Sequence, residues 1–166
     1  MSPLLHSGGF NSEIIDNEGK LNVYATIGPN GEIDFIPVFD KDYLETDMVL
    51  HEFGHSFVNP LMDKYEKKIE KLKEKYFSKK LKSDAKNEGY SEWKYVFNEL
   101  LLRATTIKIT EKNFGKDKAN ELIEYEKSVG FGLVENIIEI LRLYENNRDK
   151  YPTFDDFYPT LLRKMK

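Results

Sequence analysis

The first twenty residues, "MSPLLHSGGFNSEIIDNEGK", show no sustained alternation of apolar and polar positions. They are rich in Gly and Asn and read as a loop or extended lead-in. The next stretch, "LNVYATIGPNGEIDFIPVF", holds two β-rich runs around Gly28-Pro29-Asn30-Gly31. Gly-Pro and Asn-Gly are turn signals, so the pattern predicts a hairpin with strands near 22–27 and 32–38. Pro37 has no N–H to give to a ladder, which assigns it to an edge strand or a strand end.

From about residue 43 the period becomes helical. A first helix is predicted from Asp42 or Thr46 to Val58, where Asn59-Pro60 interrupts it. Asn59 then caps a second helix that has Pro60 in its first turn. Along that second helix Tyr65, Ile69, Leu72 and Tyr76 recur by four, three and four, which is one apolar stripe. A third helix begins near Ser91 and carries Trp93, Phe97, Leu100, Leu101, Ala104 and Ile107. Shorter helices are predicted at roughly 116–128, 133–146 and 154–165. Thr153 and Asp156 have the spacing of a capping box, with Asp in place of Glu. The expected fold class is α+β and predominantly helical. A small N-terminal β-hairpin or sheet is followed by the first helix and several packed helices, in one domain over 1–166.

The chain's 166 residues suffice for a core, and 40% hydrophobic with 33% charged residues indicates a soluble globular protein. A net charge of −4 argues against a general nucleic-acid binder. No stretch reaches the roughly 20 apolar residues that span a bilayer, so no membrane partner is expected. The N-terminus lacks the charged start and apolar core of a secretory signal. The expected location is therefore the cytoplasm, or outside it with the signal removed. There is no cysteine, which excludes disulfides, thiolate metal sites and cysteine nucleophiles. Any metal must be held by His and carboxylate.

Two of the three histidines lie in "DMVLHEFGHSFVNP", residues 47–60. On a helix His51 and His55 share a face, about 6 Å apart at Cβ, and can direct ring nitrogens at one Zn²⁺. Glu52 lies about 100° further round, where it reaches a water at the site without being a ligand, as a general base must. Phe53 and Phe57 are assigned to the opposite, core-facing side. The plainer alternative is a helix whose polar face happens to spell H-E-x-x-H. The placement of two of only three histidines at ligand spacing, on a bounded amphipathic helix, favours the metal.

A catalytic zinc needs a third protein ligand. Leu61 stands where the elongated H-E-x-x-H-x-x-G-x-x-H pattern would have its third histidine, and His6, in the lead-in, reads as an incidental surface residue. That leaves a carboxylate from a later helix, among them Glu88, Glu92, Glu99 and several beyond residue 120. Glu99 sits in "YVFNELLLRA", where a buried carboxylate would need a metal or Arg103 to compensate it. Glu92, near the helix start, is the runner-up, and spacing does not decide between them.

"HEFGHSFVNP" followed by "NELLLRA" resembles the zincin metallopeptidases of the glutamate-ligand (gluzincin) type. It resembles more closely a bacterial domain-of-unknown-function family with a HEF-x-HSFVNP core, whose C-terminal part is similar to "NNRDKYPTFDDFYP". The resemblance covers roughly residues 20–160. It implies a zincin-like catalytic domain with Zn²⁺ held by His51, His55 and Glu99, and Glu52 as the base. It also implies a small sheet whose edge strand holds an extended peptide or protein substrate beside the metal. Only 50 residues precede His51, short for a zincin sheet subdomain, which implies a reduced cleft or further sequence upstream.

The functional expectation is a zinc-dependent metallohydrolase, a peptidase. The alternative is a binding or interaction domain that retains a zincin fold and lacks turnover. Arg103, four residues after Glu99, is expected to pair with it or with a substrate carboxylate. Hydrolysis also benefits from a donor to the developing oxyanion. Tyr90, Tyr95, Tyr144 and Tyr151 are candidates, and Tyr144 and Tyr151 are carried forward as substrate or support residues. The run from Lys64 to Lys86 holds ten lysines, with Lys67, Lys71, Lys75 and Lys79 at i,i+4 spacing. A solvated outer face is its default explanation, ahead of an acidic partner.

Overall fold

A computed structural model describes residues 9–27, 31–33, 36–38 and 47–166, with side chains at 14–20, 22, 24 and 49–166. It divides into two compact units, Met1–Phe57 and Val58–Lys166.

The described strands of the first unit are β1 (Gly9–Ile15), β2 (Leu21–Ile27), β3 (Gly31–Ile33) and β4 (Ile36–Val38). β1 and β2 pair antiparallel from Gly9↔Ile27 to Ile15↔Leu21. β3 and β4 pair antiparallel from Gly31↔Val38 to Ile33↔Ile36. β2 therefore falls where the residue pattern puts a strand, but its partner is β1, inside the expected lead-in. The expected downstream strand is instead two short ones that pair with each other. The predicted turn residues 28–30 lie outside the described residues, as does His6. Pro37 stands mid-strand in a two-stranded ladder, opposite Glu32, where each strand keeps an outer edge.

The β1–β2 connection explains that pairing. The Asp16 carboxylate accepts from the amides of Glu18 at 3.0 Å and Lys20 at 2.9 Å, and from Asn22 Nδ2 at 3.0 Å. Gly19, at φ 78°, supplies the positive φ and donates its N–H to the Asp16 carbonyl. The amide of Lys20 and then the Asn22 side chain hold the Asp16 carboxyl below its ordinary pKa.

The helices are α1 (Asp47–Glu70), α2 (Lys73–Tyr76), α3 (Lys79–Asn87), α4 (Trp93–Phe114), α5 (Lys116–Ser128), α6 (Val134–Glu145) and α7 (Phe154–Lys164). Among the described residues the chain is thus predominantly helical. The expected break at Asn59-Pro60 does not occur: α1 is one helix of 24 residues with Pro60 inside it. Pro60 removes one N–H from the ladder. Val58, Leu61, Met62 and Ile69 are all buried and carry the helix past it. The Asn59 side chain does not end the helix but accepts from Asn98 Nδ2 at 2.8 Å. The lysine run is divided over three helices, with Lys67 on α1, Lys75 on α2 and Lys79 opening α3. Ser78 caps α3 by accepting from the Leu81 amide at 3.2 Å.

α4 is the axis of the second unit. Every residue from Val96 to Leu102 is buried, and the helix packs against α5 and α6. Its start is tied to the end of α1 by Trp93 Nε1, which donates to the Ile69 carbonyl at 2.8 Å. The capping box of α7 is formed: Thr153 Oγ1 accepts from the Asp156 amide, and the Asp156 carboxylate accepts from the Thr153 amide. Among the described residues no helix is long and apolar enough to cross a membrane.

α5 ends in a left-handed turn. The Phe131 amide donates to the Glu126 carbonyl at 2.8 Å and the Gly130 amide to the Lys127 carbonyl at 3.2 Å. Gly130 has φ 95°, and a Cβ there would lie 2.4 Å from Asp84 Cβ. Gly89 has φ 91° but nothing within 4 Å of its virtual Cβ. Gly89→Ala is therefore expected to cost about 1–2 kcal/mol in backbone strain alone. Gly130→Ala adds a steric clash and should unfold at a clearly lower urea midpoint than Gly89→Ala. Equal midpoints would show that the Asp84 approach is unimportant.

Candidate metal centre

The buried stripe of α1 contains Val58, Met62 and Ile69, with half-buried Tyr65 between the last two. Counting back by three and four along the continuous helix gives His55 and His51. The two histidines thus extend the core-facing stripe instead of standing opposite it. Both are half-buried, with ring centroids 5.1 Å apart and planes at 89°. Glu52 beside them is 7% exposed. Phe53 and Phe57 correct the expectation that they face the core: they are 57% and 73% exposed. Each lies about 200° round the helix from a histidine, so turning the histidines inward turns these rings outward.

Glu99, on α4, is 1% exposed, between buried Asn98 and the core residue Leu100. One carboxylate oxygen of Glu99 and one ring nitrogen each of His51 and His55 lie within 4.8 Å of one another. This donor set suits zinc, which binds imidazole nitrogen and carboxylate oxygen without needing thiolate. A tetrahedral site with bonds near 2.0–2.1 Å separates its ligand atoms by about 3.3 Å, so small side-chain adjustments would close the group on an ion. Glu52 is not one of the three. It adjoins His51 in sequence and lies outside that group.

Arg103 compensates the buried charge. Its Nε donates to Glu99 Oε1 at 2.9 Å and its Nη1 to Glu126 Oε2 at 2.6 Å. Nη2 lies 4.0 Å from the more exposed Glu88, and the guanidinium stacks 4.3 Å from the Phe131 ring centroid. Burial opposes the charge on Arg103, but Glu99 and Glu126 outweigh burial and raise its pKa above the ordinary value. The expected Glu99–Arg103 pair is therefore formed, and a carboxylate, with about four acceptor positions, has others to offer. Two of the Arg103 nitrogens are thus turned to Glu99 and Glu126.

The runner-up, Glu92, is exposed at the N-cap of α4, and the metal-compatible group does not include it. Tyr144 and Tyr151 belong to an aromatic cluster between α6 and α7. Tyr144 packs on Phe154 and Phe157, with Arg148 over its ring. Tyr151 packs on Phe157, and its hydroxyl lies 3.4 Å from Thr160 Oγ1. The structure shows both rings packed in this cluster.

Two features went unread in the sequence. Glu126 is 8% exposed and follows Ala119, Leu122 and Ile123 on the inner stripe of α5. A carboxylate at the i+7 position of an apolar stripe is a legible signal. The Asn59–Asn98 bond is not, because Asn59 beside a proline reads more naturally as a helix cap.

No curated protein and no solved structure matches the chain. A family model does match, over residues 1–164, and by it the chain belongs to the domain-of-unknown-function family DUF4932.

Proposed function

We propose that this chain is a zinc-dependent metallohydrolase with a zincin-like arrangement, acting as a peptidase on an extended peptide or protein. The observation that carries the reading is the convergence of His51, His55 and Glu99 donor atoms within 4.8 Å, on two helices, beside a buried Glu52. His51, His55 and Glu99 would hold the ion. When bound, zinc polarises a carbonyl and brings the pKa of a water towards about 7. Glu52 moves the proton. It accepts one as the water oxygen adds to the amide carbon, then returns it to the nitrogen as the C–N bond breaks, so it ends as it began. Arg103 keeps the Glu99 carboxylate ionised and oriented by donating to Oε1.

Two measurements test this. Purified protein reloaded with zinc and dialysed should retain about one Zn²⁺ per chain by elemental analysis, and His51→Ala should lose it. Equal retention by both proteins would remove the site. Glu52→Gln should retain zinc like the wild type while cleavage of an unbiased peptide library falls at least about 100-fold. A library left uncut by zinc-loaded wild type would instead assign the domain to binding without turnover, and undiminished cleavage by Glu52→Gln would refute the proton carrier.

A further inference from the structure

We propose that the lysine-bearing end of α1, together with the end of α7, is a docking surface for an anionic lipid bilayer, on which the domain rests without entering it. The proposal is independent of the metal reading: its residues all belong to the second unit, and none is in the metal-compatible group. From Lys64 to Lys86 the chain has ten lysines, four acids and no arginine, so the other residues hold fifteen basic against twenty-five acidic side chains. The structure gathers the positive part further. On α1, Lys64, Lys67 and Lys68 stand on the arc away from buried Met62 and Ile69, and Lys71 follows just past the helix end. α7 runs beside them, since Lys64 Nζ donates to Asp155 at 2.5 Å and the Tyr76 hydroxyl donates to the Met165 carbonyl at 2.7 Å. Lys75 Nζ donates to the Lys166 carbonyl at 2.7 Å, which brings exposed Arg163, Lys164 and Lys166 to the same end. Of the acids there, Glu66 is engaged by Lys94, Glu70 by Lys73 and Asp155 by Lys64. Only Asp63 and Glu74 are then set against six cations, Lys67, Lys68, Lys71, Arg163, Lys164 and Lys166, that make no ion pair among the described residues.

The composition of this face selects its partner. Protein interfaces centre on aromatic residues and arginine and are depleted in lysine. Among the described residues, no large hydrophobic side chain is exposed from Lys64 to Lys86 or on α7. Nucleic acid is bound with arginine forks and stacking aromatics, which the lysine run also lacks. An ammonium is a compact, strongly hydrated charge. It suits a diffuse negative surface that it approaches without losing its water, as lysines do at anionic lipid headgroups. The absence of a helix able to cross a membrane bears on insertion and not on this mode, in which the protein lies on the bilayer.

The experiment is co-sedimentation of the zinc-loaded chain with phosphatidylcholine vesicles, with and without about one-third phosphatidylserine. At about 0.1 M salt the protein should sediment with the anionic vesicles and not with the neutral ones, and about 1 M salt should release it. Replacing Lys67, Lys68 and Lys71 by Gln, which keeps helix propensity, should weaken binding at least about tenfold, since each lysine near the surface contributes about fivefold. Arg163→Gln with Lys164→Gln should weaken it about tenfold as well, because the second helix completes the face. Replacing the exposed Lys112, Lys116 and Lys118 by Gln removes the same charge elsewhere and should leave binding within about threefold. Failure of wild type to bind anionic vesicles overturns the proposal, as does an equal loss in the Lys112 triple, which would reduce the effect to net charge. Tighter binding to polyglutamate or to duplex DNA than to the vesicles at the same salt would replace the lipid by that partner.

Discussion

A carboxylate enclosed in a helical core must be compensated, and Glu99 is the group on which the order of the second unit depends. It lies within a seven-residue stretch of α4, Val96 to Leu102, that is buried throughout. Its compensation recruits Arg103 one turn later on the same helix. Arg103 recruits Glu126 from α5, and the turn that ends α5 returns Phe131 to the face of the guanidinium. One polar demand thereby fixes where α5 lies against α4 and why its last turn must close at Gly130. Apolar packing alone would tolerate a range of rotations of α5, whereas a shared guanidinium with planar donor geometry tolerates few.

The other half of the arrangement follows from the continuity of α1. A helix through Pro60 lacks one ladder bond. The buried positions on both sides of the proline hold the helix together, so the face that enters the core at Val58 and Met62 also carries His55 and His51. The Asn59–Asn98 bond pins this helix to α4 at the residue before Glu99 and one turn after His55. Trp93 pins it again at Ile69. Two polar fasteners on one pair of helices define a register that apolar side chains, being non-directional, would leave looser.

Periodicity made most of the second unit legible. The boundaries of α4 to α7 fall within a few residues of the apolar stripes, and the capping box at Thr153 was readable because both partners are local. The adjacency of His51 and His55 was legible for the same reason, since i and i+4 are neighbours on any helix. What could not be read depends on distant partners or on competing local signals. Asn59-Pro60 carries a strong start signal, and tertiary burial overrode it. β1 went unseen because its determinant is the Asp16 side chain organising a turn, while the louder Asn-Gly lay further on. Glu99 stood out by its apolar neighbours. Choosing it over Glu92 needed the end of the helix to be located, because Glu92 falls at the N-cap and Glu99 two turns inside.

The inversion of α1 around its motif bears on whether this segment is more than a helix of suggestive spelling. Folding alone favours phenylalanines inward and ionisable side chains outward. Here Phe53 and Phe57 are exposed, while Glu52 is buried and both histidines are half-buried. A rotation of roughly half a turn would bury the rings, yet it would also expose Val58 and Met62, because all lie on one rigid helix. The sequence therefore contains a local conflict that no rotation resolves, and conflicts of this kind concentrate where side chains are kept for their chemistry and not for packing. An incidental H-E-x-x-H on a solvated face would carry no such conflict, since its polar residues would already be where water wants them. The inward histidines share a helix face with buried Val58 and Met62, and a ring nitrogen of each lies within 4.8 Å of a carboxylate oxygen of Glu99. The conflict is therefore an observation in favour of the metal reading proposed above, in which these side chains are kept for the ion they would hold.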